Sequence, residues 1–365
     1  MASPLLDHCP PSLPARAYLD ADWYLAEQSG IWRREWVYAG RLTDLAPASI
    51  TRRRIGGAEI ILCNAGSLTA YHNTCRHRGA ELCATDGPSG RLITCPYHAW
   101  AYAADDGRLV STAHATPTAD FRRADHGLHP VNVTVWNGCV FVNLSDDPVP
   151  LAADPGLDTL TAWPVADLST GFRHSRDLAC NWKVFWENYN ECLHCPGIHP
   201  ELCDMVPVYA QGVMSARETT GVPDGPPLKP GAQSWTMTGA ACGPAFPGLT
   251  EAQRQAGHSF VTVYPSMFLV AHVDYVRCVS LTPTGPETTR LTAEWLFSRE
   301  TLAQPGFDAA RVAAFSTLVI QQDGDVCEMN QRGLRSPAHR RGTLMPQEFA
   351  VHAFHTWVLS RITAP

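Results

Sequence analysis

The sequence contains no run of about 18 apolar residues, so it holds no segment that reads as a membrane-spanning helix. Its start, Met1 to Pro14, is rich in proline but lacks the basic residues and apolar stretch of a secretory leader. No run of Lys and Arg exceeds Arg52-Arg53-Arg54, and the formal net charge is −7. A nucleic-acid partner is therefore not expected. There is no internal repeat and no G-x-G-x-x-G fingerprint, so no nicotinamide- or flavin-binding domain of the dinucleotide type is expected. Cysteine is abundant, at 13 residues, but the number is odd and the chain is large. That pattern fits buried free thiols in a reducing cytoplasm better than a disulfide framework. Cys192, Cys195 and Cys327 are accordingly expected to be small core residues rather than ligands.

What the chain does have is two Cys-His pairs, Cys75-Arg76-His77 and Cys95-Pro96-Tyr97-His98. Gly79 and the run Gly87-Pro88-Ser89-Gly90 lie between their metal-binding halves and let two loops turn tightly toward one point. Zinc is a competing reading, but zinc knuckles repeat C-x2-C or H-x3-H spacings, which these pairs do not. Two thiolates on one iron and two imidazoles on the other make a Rieske [2Fe–2S] centre. Neutral imidazoles in place of thiolates raise its potential above that of an all-cysteine cluster.

The surrounding pattern is that of short strands. Ile50–Ile55, Glu59–Cys63, Leu68–His72 and Val131–Leu144 read as strands, with a tight hairpin at Trp136-Asn137-Gly138. Asp20 to Tyr38 reads as helical, and Asp146 to Asp158 as a linker. Beyond it, Phe172–Cys180, Phe260–Asp274, Val276–Thr282 and Arg290–Ser298 read as strands of one antiparallel sheet. Phe307–Leu334 and Gln347–Ile362 read as long helices. Tyr209 to Gly248 is rich in Gly and Pro, an irregular excursion of the kind that forms lids.

A second metal motif lies at Glu191-Cys192-Leu193-His194-Cys195-Pro196-Gly197-Ile198-His199. Glu191 and His194 are expected to share one helix face. His194 and His199 can converge only if the helix breaks, and Pro196-Gly197 supplies a break. Two histidines and one carboxylate would make a facial triad for non-haem Fe(II). Spacing leaves Asp323, Asp325 and Glu328 open as the carboxylate.

With these motifs the chain resembles the α subunits of Rieske non-haem iron oxygenases, the aromatic-ring-hydroxylating family in its wide sense. The resemblance runs from about Leu13 to Trp357 and includes Asn181-Trp182-Lys183, Glu187-Asn188 and His199-Pro200. It implies Cys75, His77, Cys95 and His98 as cluster ligands and His194, His199 and Asp323 as ligands of a mononuclear iron. It implies an α+β fold: an N-terminal helical segment over residues 1–40, an all-β Rieske domain over 41–150, and a helix-grip catalytic domain over 151–365. It also implies a homotrimer in which Glu191 bridges His194 to His77 or His98 of a neighbour. Electrons would come from NAD(P)H through a separate reductase of the flavin or ferredoxin type.

The runs Glu187 to Cys192, His199 to Leu202 and Cys327 to Ser336 resemble the glycine-betaine, stachydrine and carnitine oxygenases. Leu193, where Tyr is usual, and Ala99, where Gly is usual, depart from the pattern. This branch implies O2-dependent hydroxylation of a small quaternary ammonium compound, with loss of formaldehyde when an N-methyl group is attacked. Such a cation is recognised by aromatic faces. The candidates are Trp235, Phe260, Tyr264 and Phe268, together with Phe246 and Tyr275. An arene hydroxylase or O-demethylase is the alternative. A non-catalytic Rieske carrier is disfavoured, because a carrier needs no iron triad.

Overall fold

A computed structural model describes residues 5–151, 155–214 and 228–362. The chain divides into two compact units, Gln28–Asp154 and the pair of segments Met1–Glu27 with Pro155–Pro365. The N-terminal helical segment is therefore shorter than the expected 1–40. Helix Ala21–Glu27 belongs to the larger unit, whereas Val37–Arg41 is a strand paired with Cys139–Asn143 in the smaller one. Its Val-Tyr-Ala-Gly-Arg sequence suits a sheet better than a helix interior. Among the described residues, no helix is long and apolar enough to cross a membrane.

The smaller unit is all-β. Ser49–Ile55, Ala58–Asn64 and Leu68–His72 form an antiparallel meander, and Leu92–Thr94, Ala101–Ala103 and Leu109–Ser111 form a second. The third sheet contains the hairpin Asn132–Trp136 to Cys139–Asn143. Asn137 and Gly138 form its two-residue turn with φ of 45° and 77°, the positive values such a turn requires. Ile61, Tyr71, Ile93 and Tyr102 pack with Cys75 and Cys95 in one core.

In the larger unit, five antiparallel strands lie in the order Ser169–Leu178, Thr288–Phe297, Tyr275–Gly285, Met267–His272, His258–Val263. Their pairing places Phe260, Val270, Arg277 and Trp295 in one cross-strand row, and Phe268 lies opposite Thr262. The period-2 pleat puts Phe260, Phe268 and Arg277 on the same face. Helix Ala309–Leu334 begins at Asp308, whose carboxylate accepts from the N–H groups of Ala310 and Arg311. Gly324 lets this helix approach strand Ser169–Leu178: a Cβ there would lie 2.7 Å from the Arg176 guanidinium and 2.9 Å from Leu178. The fold is α+β, a sheet packed against a long helix.

The Asn181-Trp182-Lys183 motif ties this unit together. Asn181 caps helix Trp182–Tyr189 by accepting from the Lys183 N–H. Lys183 Nζ lies 2.5 Å from Glu27 Oε1, and Trp182 Nε1 donates to Glu27 Oε2 at 2.8 Å. Both charged side chains are fully buried. Lys183 is thus the anchor that holds the N-terminal helix to the helix leading into the second metal motif.

Candidate metal centres and active site

The two Cys-His loops of the smaller unit are built alike. In the first, the Gly79 N–H donates to the Cys75 carbonyl at 2.9 Å, and in the second the Ala99 N–H donates to the Cys95 carbonyl at 3.0 Å. Both closing residues have positive φ, 79° at Gly79 and 55° at Ala99. That conformation explains why glycine is the usual residue at the second position. Ala99 accepts a local strain of about 1–2 kcal/mol to hold it.

Cys75 and Cys95 are buried, and His77 is exposed. The His77 and His98 rings meet edge to face with centroids 4.7 Å apart, and His77 stacks on Trp100. Arg78 Nη2 lies 2.9 Å from His98 Nε2. Tyr102 places its hydroxyl 3.1 Å from Cys75 Sγ and accepts from the Arg76 N–H at 3.0 Å. The donor set therefore fits a mixed-ligand cluster. Thiols lie inside, next to a hydroxyl that can tune the sulfur, and an imidazole lies at the surface where electrons can pass.

In the larger unit the second motif does not form one continuous helix. Helix Trp182–Tyr189 ends at Asn190, and Glu191 follows in a turn. His194 precedes the single helical turn Cys195–Ile198. Pro196 and Gly197 lie inside that turn. The break falls at His199, with φ −120° and ψ 65°, before helix Pro200–Met205 begins. Glu191 and His194 therefore meet across a turn rather than along a helix face. The same turn corrects the thiol expectation. Cys195 N–H donates to the Cys192 carbonyl, and the two cysteines form a disulfide. Cys327 is a buried free thiol.

The ligand atoms of His194, His199 and Asp323 lie within 4.8 Å of one another. Asp323 Oδ1 is 2.9 Å from His199 Nε2 and 3.5 Å from His194 Nε2. The opposite ring nitrogens are also partnered: His194 Nδ1 lies 2.5 Å from Glu191 Oε1, and His199 Nδ1 lies 2.8 Å from Gln322 Oε1. These acceptors select the Nδ1–H tautomer and turn both Nε2 atoms inward, as a metal requires. Asn188 Nδ2 adds a polar contact to His194 Nε2 at 3.2 Å.

The other two acids face elsewhere. Asp325 and Glu328 both pair with Arg176. Burial would raise the Asp323 pKa, but hydrogen bonds from His194 and His199 bring it down to about 2. Burial would lower His194, but hydrogen bonds to Asp323 and Glu191 bring it up to about 9. The result is an ionised carboxylate among imidazoles, a site where a divalent cation replaces a proton. The donor set fits Fe(II) with positions left open.

A cavity of about 80 Å³ opens on this triad. Its walls include Phe185, Tyr189, Tyr209, Trp235, Phe260 and Phe268, together with Arg277. Trp235, Phe260 and Phe268 are thus placed at the cavity. Tyr264 is not: its hydroxyl donates to Asn190 Oδ1 at 3.0 Å, and its ring packs on Trp186, Phe354 and Trp357. The strand ends at Val263, so Tyr264 leaves the face that Phe260 shares. Phe246 and Tyr275 are buried outside the cavity wall, Tyr275 donating to the Trp235 carbonyl at 2.8 Å. The expected lid includes residues 215–227, which lie outside the described residues.

Sequence reasoning missed Gln322, Arg277, Phe185, Tyr189 and Tyr209. A signal existed for two of them: Gln322, as the neighbour of a candidate ligand, and Arg277, as a lone charge inside an apolar strand.

Comparison with known proteins gives the same reading. The Rieske [2Fe-2S] domain family model matches residues 35–122, and that of the ring hydroxylating alpha subunit (catalytic domain) matches residues 165–364. The glycine betaine monooxygenase oxygenase subunit of Pseudomonas aeruginosa (strain UCBPP-PA14) is 28% identical over 386 residues, covering 96% of this chain and 89% of that protein. The carnitine monooxygenase oxygenase subunit of Escherichia coli (strain K12) is 33% identical over 204 residues, 54% of each chain. A crystal structure of a quaternary ammonium Rieske monooxygenase has the same fold, with a TM-score of 0.73 at 20% identity over 97% of this chain and 96% of that one. The chain belongs to the ring-hydroxylating α-subunit family, the oxygenase subunits that pair a Rieske [2Fe–2S] centre with a mononuclear iron.

Proposed function

We propose that this oxygenase removes a methyl group from a small quaternary ammonium compound by oxidative N-demethylation. The observation that carries the reading is the aromatic-walled cavity opening on the His194, His199 and Asp323 triad. A quaternary ammonium group offers no hydrogen-bond donor, so ring faces such as those of Trp235, Phe260 and Phe268 are its natural partners. The names of the relatives point to the same substrate class.

Cys75, His77, Cys95 and His98 are the proposed cluster ligands, and His194, His199 and Asp323 the proposed iron ligands. A separate reductase supplies electrons from NAD(P)H. An Fe(II) held by His194, His199 and Asp323 would supply the O2 activation needed to hydroxylate a substrate C–H bond. The chain's own residues prepare that step. Glu191 and Gln322 hold the two imidazoles in one tautomer. The aromatic walls exclude water and orient the N-methyl group. The hydroxymethyl product then loses formaldehyde. In a homotrimer, Glu191 would also meet a cluster histidine of a neighbouring subunit, giving electrons a hydrogen-bonded route to His194.

The test supplies the purified protein with a reductase, NADH and O2. Glycine betaine and carnitine should stimulate O2 uptake and release formaldehyde. Formation of a cis-diol from an arene, with no response to either betaine, would replace this reading by the arene hydroxylase.

A further inference from the structure

Arg277 is the third residue of strand Tyr275–Gly285, is 5% exposed, and lines the same cavity as Asp323 and Phe260. Its Nε and Nη1 atoms are buried and meet no hydrogen-bond partner among the described residues. Among the described residues, the carboxylates that line this cavity with it are already engaged: Asp323 accepts from His199, and Glu191 pairs with His194. The guanidinium carbon lies 6.0 Å from the centre of the Trp235 ring, a contact that satisfies none of its N–H groups. A guanidinium does not shed its proton in a protein, so burial leaves a permanent charge with open donors. Such a group is stable in this setting only if something anionic reaches it.

We propose that Arg277 receives the carboxylate of the substrate, so that the substrate is a zwitterion with a methylated ammonium at one end and a carboxylate at the other. This rests on the N-demethylation reading and narrows it. The planar fork of Arg matches a carboxylate with two parallel hydrogen bonds. The aromatic walls are then left for the methylated end.

Charge balance points the same way. A divalent cation on the triad is balanced by the Asp323 and Glu191 carboxylates that line the cavity, so Arg277 is the unbalanced positive charge. A bare cation such as choline enters against it. A betaine brings its own negative group to the buried guanidinium.

The experiment measures binding by calorimetry on the fully loaded wild-type enzyme and on Arg277→Gln, with the Rieske absorption spectrum as the check on folding. Wild type should prefer glycine betaine over choline. Arg277→Gln should weaken glycine betaine on the order of 30-fold or more, the loss expected for one partner of a buried charged pair. The same variant should lose the preference over choline. Arg277→Lys keeps the charge but not the fork and should fall between. It decides the question if Arg277→Gln fails to fold.

Unchanged affinity of Arg277→Gln for glycine betaine, or a wild type that binds choline as tightly, overturns the proposal. If wild type binds neither trimethylammonium compound, the N-demethylation reading and the zwitterion class fail together. Benzoate and benzamide then decide the carboxylate role. A selective loss of benzoate in Arg277→Gln supports it, and equal binding of benzoate to both proteins ends it.

Discussion

Gln322→Leu tests whether the triad is built to hold a metal. His199 is 1% exposed, and its Nδ1–H donates to Gln322 Oε1 at 2.8 Å. Gln322 is itself oriented by Glu201, whose Oε2 accepts from its Nε2 at 3.2 Å. Leucine has similar volume but no acceptor, so it strands a buried N–H at a cost of about 1–3 kcal/mol. That preference for the inward-facing Nε2 is lost with the bond, and the affinity for iron(II) should fall about 10- to 100-fold. The measurement is an iron(II) titration against a chelating indicator after the mononuclear iron has been removed, with the cluster absorbance as internal control.

Asp325→Ala is the matched comparison. It changes an acid two residues beyond Asp323 on the same helix, but this acid is largely exposed and pairs with Arg176. Its iron affinity should match wild type. Gln322→Leu binding iron(II) as tightly as Asp325→Ala would refute the argument that this hydrogen bond sets the ligand tautomer.

Other substitutions probe the remaining links. Glu191→Gln keeps an acceptor for His194 Nδ1 and should keep both metals, but single-turnover oxidation of the pre-reduced cluster should slow severely; a wild-type rate with iron fully loaded would remove Glu191 from the electron route. Lys183→Met strands the buried Glu27 carboxylate and should cost about 3–5 kcal/mol, whereas adding Glu27→Leu should restore most of it; thermal unfolding reads this, at about 2–4 °C per kcal/mol for a unit of this size. Burial, helped by Arg277, lowers the His258 pKa from 6.5 to about 4. The folded state therefore binds fewer protons than the unfolded one between those values, and this stabilisation is complete above pH 6.5 and lost as pH falls toward 4. At pH 5 the loss is about 2 kcal/mol, and His258→Phe should flatten that part of the stability–pH curve.

Much of the scaffold was legible because its signals are local. Asn137-Gly138 between two apolar runs is sufficient to specify a hairpin, and the structure pairs Trp136 with Cys139 across it. The strands expected at Ile50–Ile55, Glu59–Cys63 and Leu68–His72 lie within Ser49–Ile55, Ala58–Asn64 and Leu68–His72. The helix expected from Phe307 begins at Ala309, where Asp308 supplies the cap. What failed depended on partners distant in sequence. Val37–Arg41 has no alternation that distinguishes it from the preceding helix, and it becomes a strand through Cys139–Asn143. Likewise nothing in the spacing of Cys192 and Cys195 distinguishes a core thiol from a bridged pair until the turn after Asn190 brings them together.

The site shows the same division. Spacing placed two histidines near one metal but left three acids open. The choice depends on Arg176, which sits on a strand about 150 positions earlier and engages Asp325 and Glu328. With those acids turned to Arg176, and Gly324 allowing the helix to lie close to that strand, Asp323 is the carboxylate that reaches both imidazoles. Arg277 is the harder case. Its position in an apolar strand reads from the sequence as an interruption, to be explained by an edge or a salt bridge. The register shows instead a central strand with Val270 and Trp295 on either side, and no carboxylate opposite. An unpaired charge is a property of everything that surrounds it, and so it is invisible in any pattern of neighbours along the chain. It becomes evidence about the ligand only once the nearby acids have been assigned to their own partners.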